Sequence, residues 1–380
     1  MLLKNGSVFT GSGFSLLDIR IDADQLVQVE KEICPKAGES VYDLDGAKVI
    51  PGLIDIHTHG CAMRDFCDGS EESFDILAEN YIKNGITTVC PTSMTLPPEQ
   101  LETIYTAFAH WSERPHRGSR LIGINMEGPF LSVKKRGAHR AEYVIPASEE
   151  IFDRLWKASG GRRRLCAVAP EISGNLDFIR YAKAFCTVSV AHTAADYDGA
   201  IAGYHAGATS TTHLFNAMNG LAHRAPGTVG AAFDSGAYAE LICDGEHVLP
   251  PVLRAAFSMF GDRIAVISDS LMAAGMPEGT ECVLGDEAVV VRGGKAVLPD
   301  GTIAGSIVNI LEEIRRLISF GIDEAQAIRC STITPARIIG EEKSLGSIEK
   351  GKLADLVVLK EDYTPKAVFR DGTIEFGSLD

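Results

Sequence analysis

Lys48-Val49-Ile50-Pro51-Gly52-Leu53-Ile54-Asp55-Ile56-His57-Thr58-His59 reads as a buried, apolar β-strand whose last residues deliver two imidazoles. Side chains at i and i+2 of a strand share a face, so His57 and His59 can point at one ion without a loop folding around it. A His-x-His pair does not define a site by itself. Its weight comes from the polar residues further along the chain.

From Lys48 onward, short β-rich apolar runs alternate with amphipathic helical stretches, the rhythm of repeated βα units around a parallel sheet. Eight strands are expected, at Val49 to His57, Ile86 to Pro91, Arg120 to Met126, Leu165 to Ala169, Thr187 to Ala191, Ala208 to Thr212, Ala239 to Cys243 and Arg263 to Ser268. Eight closes a (β/α)8 TIM barrel, placed at residues 49–340. Phe74, Leu77, Ala78, Tyr81 and Ile82 mark the core face of the first helix, with Ser70 as N-cap and Gly85 as terminator. Glu287 to Arg292 and Lys295 to Leu298 read as a hairpin turning at Gly293-Gly294, inserted before a helix from Ser306 to Phe320. Residues 1–48 and 341–380 contain only short strand-like pieces, and neither end can bury a core alone. The two ends are therefore expected to pair into one small β-sandwich domain beside the barrel.

On this frame the polar residues collect at the C-terminal ends of strands, where barrel active sites sit. His57 and His59 end the first strand, Glu127 the third, His192 the fifth, His213 the sixth and Asp269 the eighth. Singly, a histidine at a strand end is most often hydrogen-bonded structure. Six at matching positions, whose burial without a counter-ion would be costly, point to a metal site. Imidazole with carboxylate suits Zn²⁺ or Fe²⁺, with Mn²⁺ also compatible, and a carboxylate can bridge two ions. Cys61 and Cys67, close after the His pair, are read as idle thiols.

His57-Thr58-His59, Met126-Glu127-Gly128-Pro129, Ala191-His192-Thr193, Thr212-His213-Leu214-Phe215-Asn216-Ala217-Met218, Ile242-Cys243-Asp244-Gly245-Glu246-His247-Val248 and Ser268-Asp269-Ser270 resemble the amidohydrolase superfamily. Within it, they look like the N-acetylglucosamine-6-phosphate deacetylase family. The resemblance implies that Glu127, His192 and His213 hold the principal divalent ion. Some members lack the His-x-His pair and work with one ion, so its retention implies capacity for a second, with Glu127 bridging. It further implies that Asp269 takes a proton from the attacking water and returns it to the leaving amine. Asn216, the Ala217 backbone N–H, Arg224 and His247 would hold a phosphorylated amino sugar, Arg224 in its own or a neighbouring subunit's site, and His139 would lie near the acetyl group. A homodimer is the assembly the resemblance implies. Lys134, Lys135, Arg136 and Arg140 crowd the His139 loop, and the ordinary fate of such a loop is solvation.

The 380 residues are 45% hydrophobic and carry a formal net charge of −15. That field repels nucleic acid and anionic membranes, so an anionic substrate needs local positive charge. Nine scattered cysteines with no Cys-x-x-Cys pair suit a reducing cytoplasm better than a disulfide framework. Two rivals are weaker. Cyclic-amide hydrolases carry a bridging lysine at the end of the fourth strand, where this chain reads Val168-Ala169-Pro170-Glu171. Non-catalytic barrel relatives lose metal ligands, and here the whole set stands. Another N-acyl amidohydrolase, acting on a different sugar or an amino acid, remains the alternative.

Overall fold

A computed structural model of the chain describes residues 1–379. Its centre is a barrel of eight parallel strands, Leu53–Thr58, Ile86–Ser93, Ile124–Met126, Arg163–Val168, Thr187–Val190, Ser210–Thr211, Tyr238–Ile242 and Ile264–Ile267, each paired in order with the next. Each is followed by a helix on the outside, beginning with Glu71–Lys83 and ending with Ile310–Ser319. The first helix obeys its sequence signals. The Ser70 hydroxyl accepts the Ser73 N–H at 3.1 Å, and Phe74, Leu77, Ala78, Tyr81 and Ile82 are buried.

The barrel is closed between its last and first strands partly by side chains. The Asp269 N–H donates to the His57 carbonyl (2.9 Å), and the fully buried Asp55 accepts from the Ser268 hydroxyl (2.5 Å) and the His57 N–H (3.2 Å). Burial pushes the Asp55 carboxyl up to about 7, against the pull of these donors.

Several strands differ from the sequence reading. The run from Val49 to His57 is two strands. Lys48–Pro51 belongs to the terminal sheet, and the barrel strand starts at Leu53. The break falls at Gly52, where a Cβ would meet the Thr87 hydroxyl at 2.2 Å. The third strand is interrupted between Leu121 and Ile124, because Gly123 passes so close to the Arg162 carbonyl that a Cβ would lie 2.5 Å from it. The sixth is only Ser210–Thr211, since the chain turns out of the barrel towards His213. The last barrel helix begins at Ile310, capped by the Asn309 side chain, and not at Ser306.

The two ends of the chain join in one eight-stranded mixed sheet, in which Leu356–Leu359 pairs antiparallel with Lys48–Pro51. This sheet curls until its edge strand Gln25–Glu30 meets Leu353, enclosing a core of Leu3, Val8, Ile19, Leu26, Val49, Leu356, Val358 and Phe369. The predicted hairpin is the middle of a four-stranded antiparallel sheet, Glu281–Leu284, Glu287–Arg292, Lys295–Val297 and Ile303–Gly305. Arg140 to Glu287 (3.0 Å), Tyr143 to Asp286 (3.1 Å) and Lys295 to Glu246 (3.0 Å) tie this inserted sheet to loops that carry His139 and His247.

The helix Ile310–Ser319 buries Glu313 completely, with one carboxylate oxygen accepting the Cys243 N–H at 3.0 Å. Burial, reinforced by the nearby Asp244 charge, holds the Glu313 carboxyl well above the usual range, so the folded protein retains a proton that the unfolded chain releases above about pH 4.3. Stability is therefore lost as pH rises past that point. Glu313→Gln keeps the acceptor for Cys243 and removes the penalty. Its melting temperature should match the parent below about pH 4 and exceed it by roughly 2–6 °C at pH 8. A melting difference independent of pH would contradict this account of Glu313.

Candidate active site

The C-terminal mouth of the barrel opens into a cavity of about 170 Å³ whose walls include His59, Glu127, His139, His192, His213, Asn216, Ala217, His247 and Asp269. Leu284, Ile303 and Gly305 of the inserted sheet complete it. The backbone at its centre is strained. His192, His213 and Asp269 have φ of 41°, 30° and 46°, a left-handed conformation that non-glycine residues avoid and that concentrates at functional sites. Beside Glu127 the chain requires glycine, because a Cβ at Gly128 would lie 1.9 Å from the Thr95 hydroxyl.

Three candidate ligand atoms form a near-equilateral triangle: Glu127 Oε1 lies 3.1 Å from Nε2 of both His192 and His213, and those two nitrogens are 3.0 Å apart. Atoms at these separations can share one ion at ordinary Zn–N and Zn–O distances of about 2.0–2.2 Å. His192 presents the correct nitrogen, because its Nδ1 donates to the Lys135 carbonyl at 2.9 Å and leaves Nε2 with a lone pair. On the other side of Glu127, Nε2 of His57 and of His59 lie 3.5 and 3.4 Å from Asp269 Oδ1, and His59 Nε2 is 3.2 Å from Glu127 Oε2. His57 Nε2 is buried with no hydrogen-bond partner among the described residues. An orphaned imidazole nitrogen facing two carboxylates fits a cation ligand. The donor set therefore suits divalent metal, with Glu127 placed between two groups.

Burial disfavours charge on all these residues, yet Asp269 and Glu127 hold the His59 imidazole up at about 9, and Glu127, Glu240 and Asp269 hold that of His57 well above its usual range. The same pairing keeps the Asp269 carboxyl below the usual range despite its burial, in its proton-accepting form. His139 lies near the ligand groups, its Nε2 3.6 Å from Glu127 Oε2. Its Nδ1, however, accepts the Thr95 N–H at 3.3 Å, so Nε2 carries the hydrogen and acts as a donor. Burial and the neighbouring His192 push the His139 imidazole down to about 3, which keeps it neutral.

His247 reaches the wall of the cavity with its Nδ1 2.6 Å from Asp244 Oδ2. The Asp244 carboxylate raises the His247 imidazole above its ordinary value against the opposing effect of burial. Asp244 also accepts the Glu246 and His247 N–H groups, fixing the loop that presents this histidine. Glu171, beyond the fourth strand, accepts from Thr193 Oγ1 and the Ala194 N–H and braces the His192 loop. Three of the four basic residues near His139 serve structure. Lys135 donates to the Met218 carbonyl, Arg136 to the His139 carbonyl, and Arg140 to Glu287. Cys61 and Cys67 stay protonated thiols, both pushed up chiefly by burial, the former to about 12.

Arg224 is the exception among the expected site residues. It is exposed on the turn between Ala222 and Ala225 and is absent from the wall of its own chain's cavity, which contains no lysine or arginine. Sequence alone does not single out Asp55, Glu240 or Asp244. Asp55 and Asp244 sit inside the quoted motifs, but Glu240 lies in an otherwise apolar strand, and its acidity there is the one available signal.

A (β/α)8 barrel with histidines and carboxylates converging at its C-terminal mouth defines a metal-dependent hydrolase. The chain belongs to the amidohydrolase family, whose sequence model matches residues 48–374. It is 34% identical over 346 residues to an N-acetylglucosamine-6-phosphate deacetylase of Haemophilus influenzae, covering 88% of this chain and 90% of that protein. It is also 34% identical over 341 residues to an N-acetylgalactosamine-6-phosphate deacetylase of Escherichia coli O157:H7, covering 88% and 89%. Among solved structures, the N-acetylglucosamine-6-phosphate deacetylase of Pasteurella multocida superposes with a TM-score of 0.92 at 28% identity over 98% of both chains. An aspartate-to-alanine mutant of the Mycobacterium smegmatis N-acetyl-D-glucosamine-6-phosphate deacetylase, in complex with N-acetyl-D-glucosamine-6-phosphate, superposes at 0.90 with 31% identity over 99% of both.

Proposed function

We propose that this chain hydrolyses the acetamide of N-acetyl-D-glucosamine 6-phosphate to D-glucosamine 6-phosphate and acetate, as a step of amino-sugar catabolism in the cytoplasm. The observation that carries the reading is the Glu127, His192 and His213 triangle with Asp269 on the same cavity wall. The substrate comes from the names of the relatives. The barrel, residues 53–340, carries the chemistry, and residues 1–51 with 341–379 form the supporting domain.

Glu127, His192 and His213 would hold one divalent ion, Zn²⁺, Fe²⁺ or Mn²⁺, and His57 and His59 with Glu127 a second. Such an ion polarises the acetamide carbonyl and makes water nucleophilic near neutral pH. Asp269 accepts the proton of the attacking water and delivers it to the sugar nitrogen as the C–N bond breaks. His139, a neutral Nε2–H donor, orients the acetyl group. Asn216, the Ala217 N–H and His247 hold the sugar and its phosphate. No helix among the described residues is long and apolar enough to cross a membrane.

Acetate release from N-acetylglucosamine 6-phosphate, N-acetylgalactosamine 6-phosphate and unphosphorylated N-acetylglucosamine tests the reading, before and after chelation and with each ion restored. Metal-dependent turnover favouring the first supports it. The relative named for the galactosamine epimer makes that sugar the second reading, and turnover favouring it would replace the first. Turnover of none would leave another N-acyl substrate as the alternative.

Because its own cavity wall lacks arginine and lysine, the phosphate needs a cation from elsewhere, and Arg224 of a second copy in a homodimer would supply it. Arg224→Ala should raise KM for the phosphorylated sugar about 10–100-fold, the worth of a charge-assisted hydrogen bond, and leave the unphosphorylated sugar nearly unchanged. Equal weakening of both sugars would remove Arg224 from the phosphate site. Mixing this variant with Asp269→Asn should restore part of the activity if the arginine acts across subunits.

A further inference from the structure

Glu240 lies in the middle of the seventh barrel strand, Tyr238–Ile242, with no exposed surface. Its Oε2 is 2.9 Å from Nδ1 of His57, and its Oε1 has no hydrogen-bond partner among the described residues. A carboxylate so placed is costly unless its charge is answered. His57 is its one side-chain hydrogen-bond partner there.

With a cation bound, His57 carries one hydrogen, and Oε2 of Glu240, 2.9 Å from Nδ1, is placed to accept it there. Nε2 is then left with its lone pair, 3.4 Å from Glu127 Oε1 and 3.5 Å from Asp269 Oδ1. The Lys135 carbonyl does the same for His192 on the other side of Glu127. Each of the two ligand groups thus contains one histidine whose tautomer is set from behind. The two devices differ in charge. A carbonyl adds none, whereas Glu240 adds a buried carboxylate behind His57, beyond those of Glu127 and Asp269 that line a cavity walled without lysine or arginine. That balance suits two divalent cations better than one.

We infer that Glu240 is a positioning residue: accepting Nδ1–H of His57, it aims the Nε2 lone pair at the His59 and Asp269 side and so builds the second of two ion sites. This rests on the reading that His57 and His59 are metal ligands. Glutamine at this position can still accept Nδ1–H through its amide oxygen without the charge. Methionine, of similar length, offers only a weakly accepting thioether, and frees His57 to move its hydrogen to Nε2.

The test is Co²⁺ titration of the stripped full-length protein by calorimetry, with bound ion counted by mass spectrometry. The parent should bind two ions per chain. Glu240→Gln should bind two with the second weakened about 10–100-fold, and Glu240→Met only one, the first affinity being unchanged in both. A second ion bound by Glu240→Met as tightly as by the parent would overturn the inference. Should that variant not fold, Glu240→Gln decides, an unaltered second affinity overturning it. A parent that binds a single ion while releasing acetate from the phosphorylated sugar would overturn this inference and the second-ion reading together, and leave the deacetylase reading intact.

Discussion

Asp269→Asn is expected to lower kcat for acetate release by about 10²–10⁴-fold, the usual contribution of a positioned acid or base, while ion content and substrate affinity stay near parental. The amide has the volume of the carboxyl and can keep a contact to His59, but it cannot take a proton from water or return one to nitrogen. Asp269 is anchored independently of its side chain, its N–H donating to the His57 carbonyl and its carbonyl accepting from Ser306 at 2.8 Å. The variant should therefore fold and hold the φ of 46° that aims the side chain. Single-turnover kinetics with metal analysis checks the split. Near-normal turnover would remove Asp269 from proton transfer, and a parallel loss of ion would make it a ligand and not the base.

Glu127→Gln should act through the opposite quantity. Oε1 of Glu127 faces His192 and His213 and Oε2 faces His59, so one substitution touches both ligand groups. A glutamine nitrogen would carry hydrogens toward imidazole lone pairs or toward the place an ion occupies. Ion affinity is expected to fall by at least about 10²-fold, beyond the effect of losing an outer hydrogen bond, and turnover to that of the chelated parent. Excess Zn²⁺ or Fe²⁺ should recover part of it. Full activity with parental ion content would show that His192 and His213 suffice without the carboxylate.

Much of the architecture was legible because the signals were local and repeated. Short continuous apolar runs alternating with helical stripes, punctuated by caps such as Ser70 and breakers such as Gly85, specify βα units one at a time, and eight units have one familiar closure. The candidate ligand residues were legible for a related reason. A strand ending in His57-Thr58-His59 or Met126-Glu127 places those side chains at the barrel mouth whatever the rest of the chain does. Arg224 was a legible arginine with an illegible position, since nothing local states which side of an interface or cavity a turn will face.

What the sequence by itself determined is the barrel and the set of strand-end histidines and carboxylates, because periodicity within a few tens of residues dictates both, and the pairing of the chain's two ends, because neither end can bury a core alone. What only the tertiary structure decided is how those groups meet. The transfer between sheets at Gly52, the closure through Asp55 and Ser268, the covering of the cavity by Leu284 and Ile303, and the grip of Glu240 on His57 join residues distant in the chain, Asp55 and Ser268 lying 213 positions apart. Distances of about 3 Å between such residues depend on the packing of the whole barrel, and no local pattern in the chain encodes them.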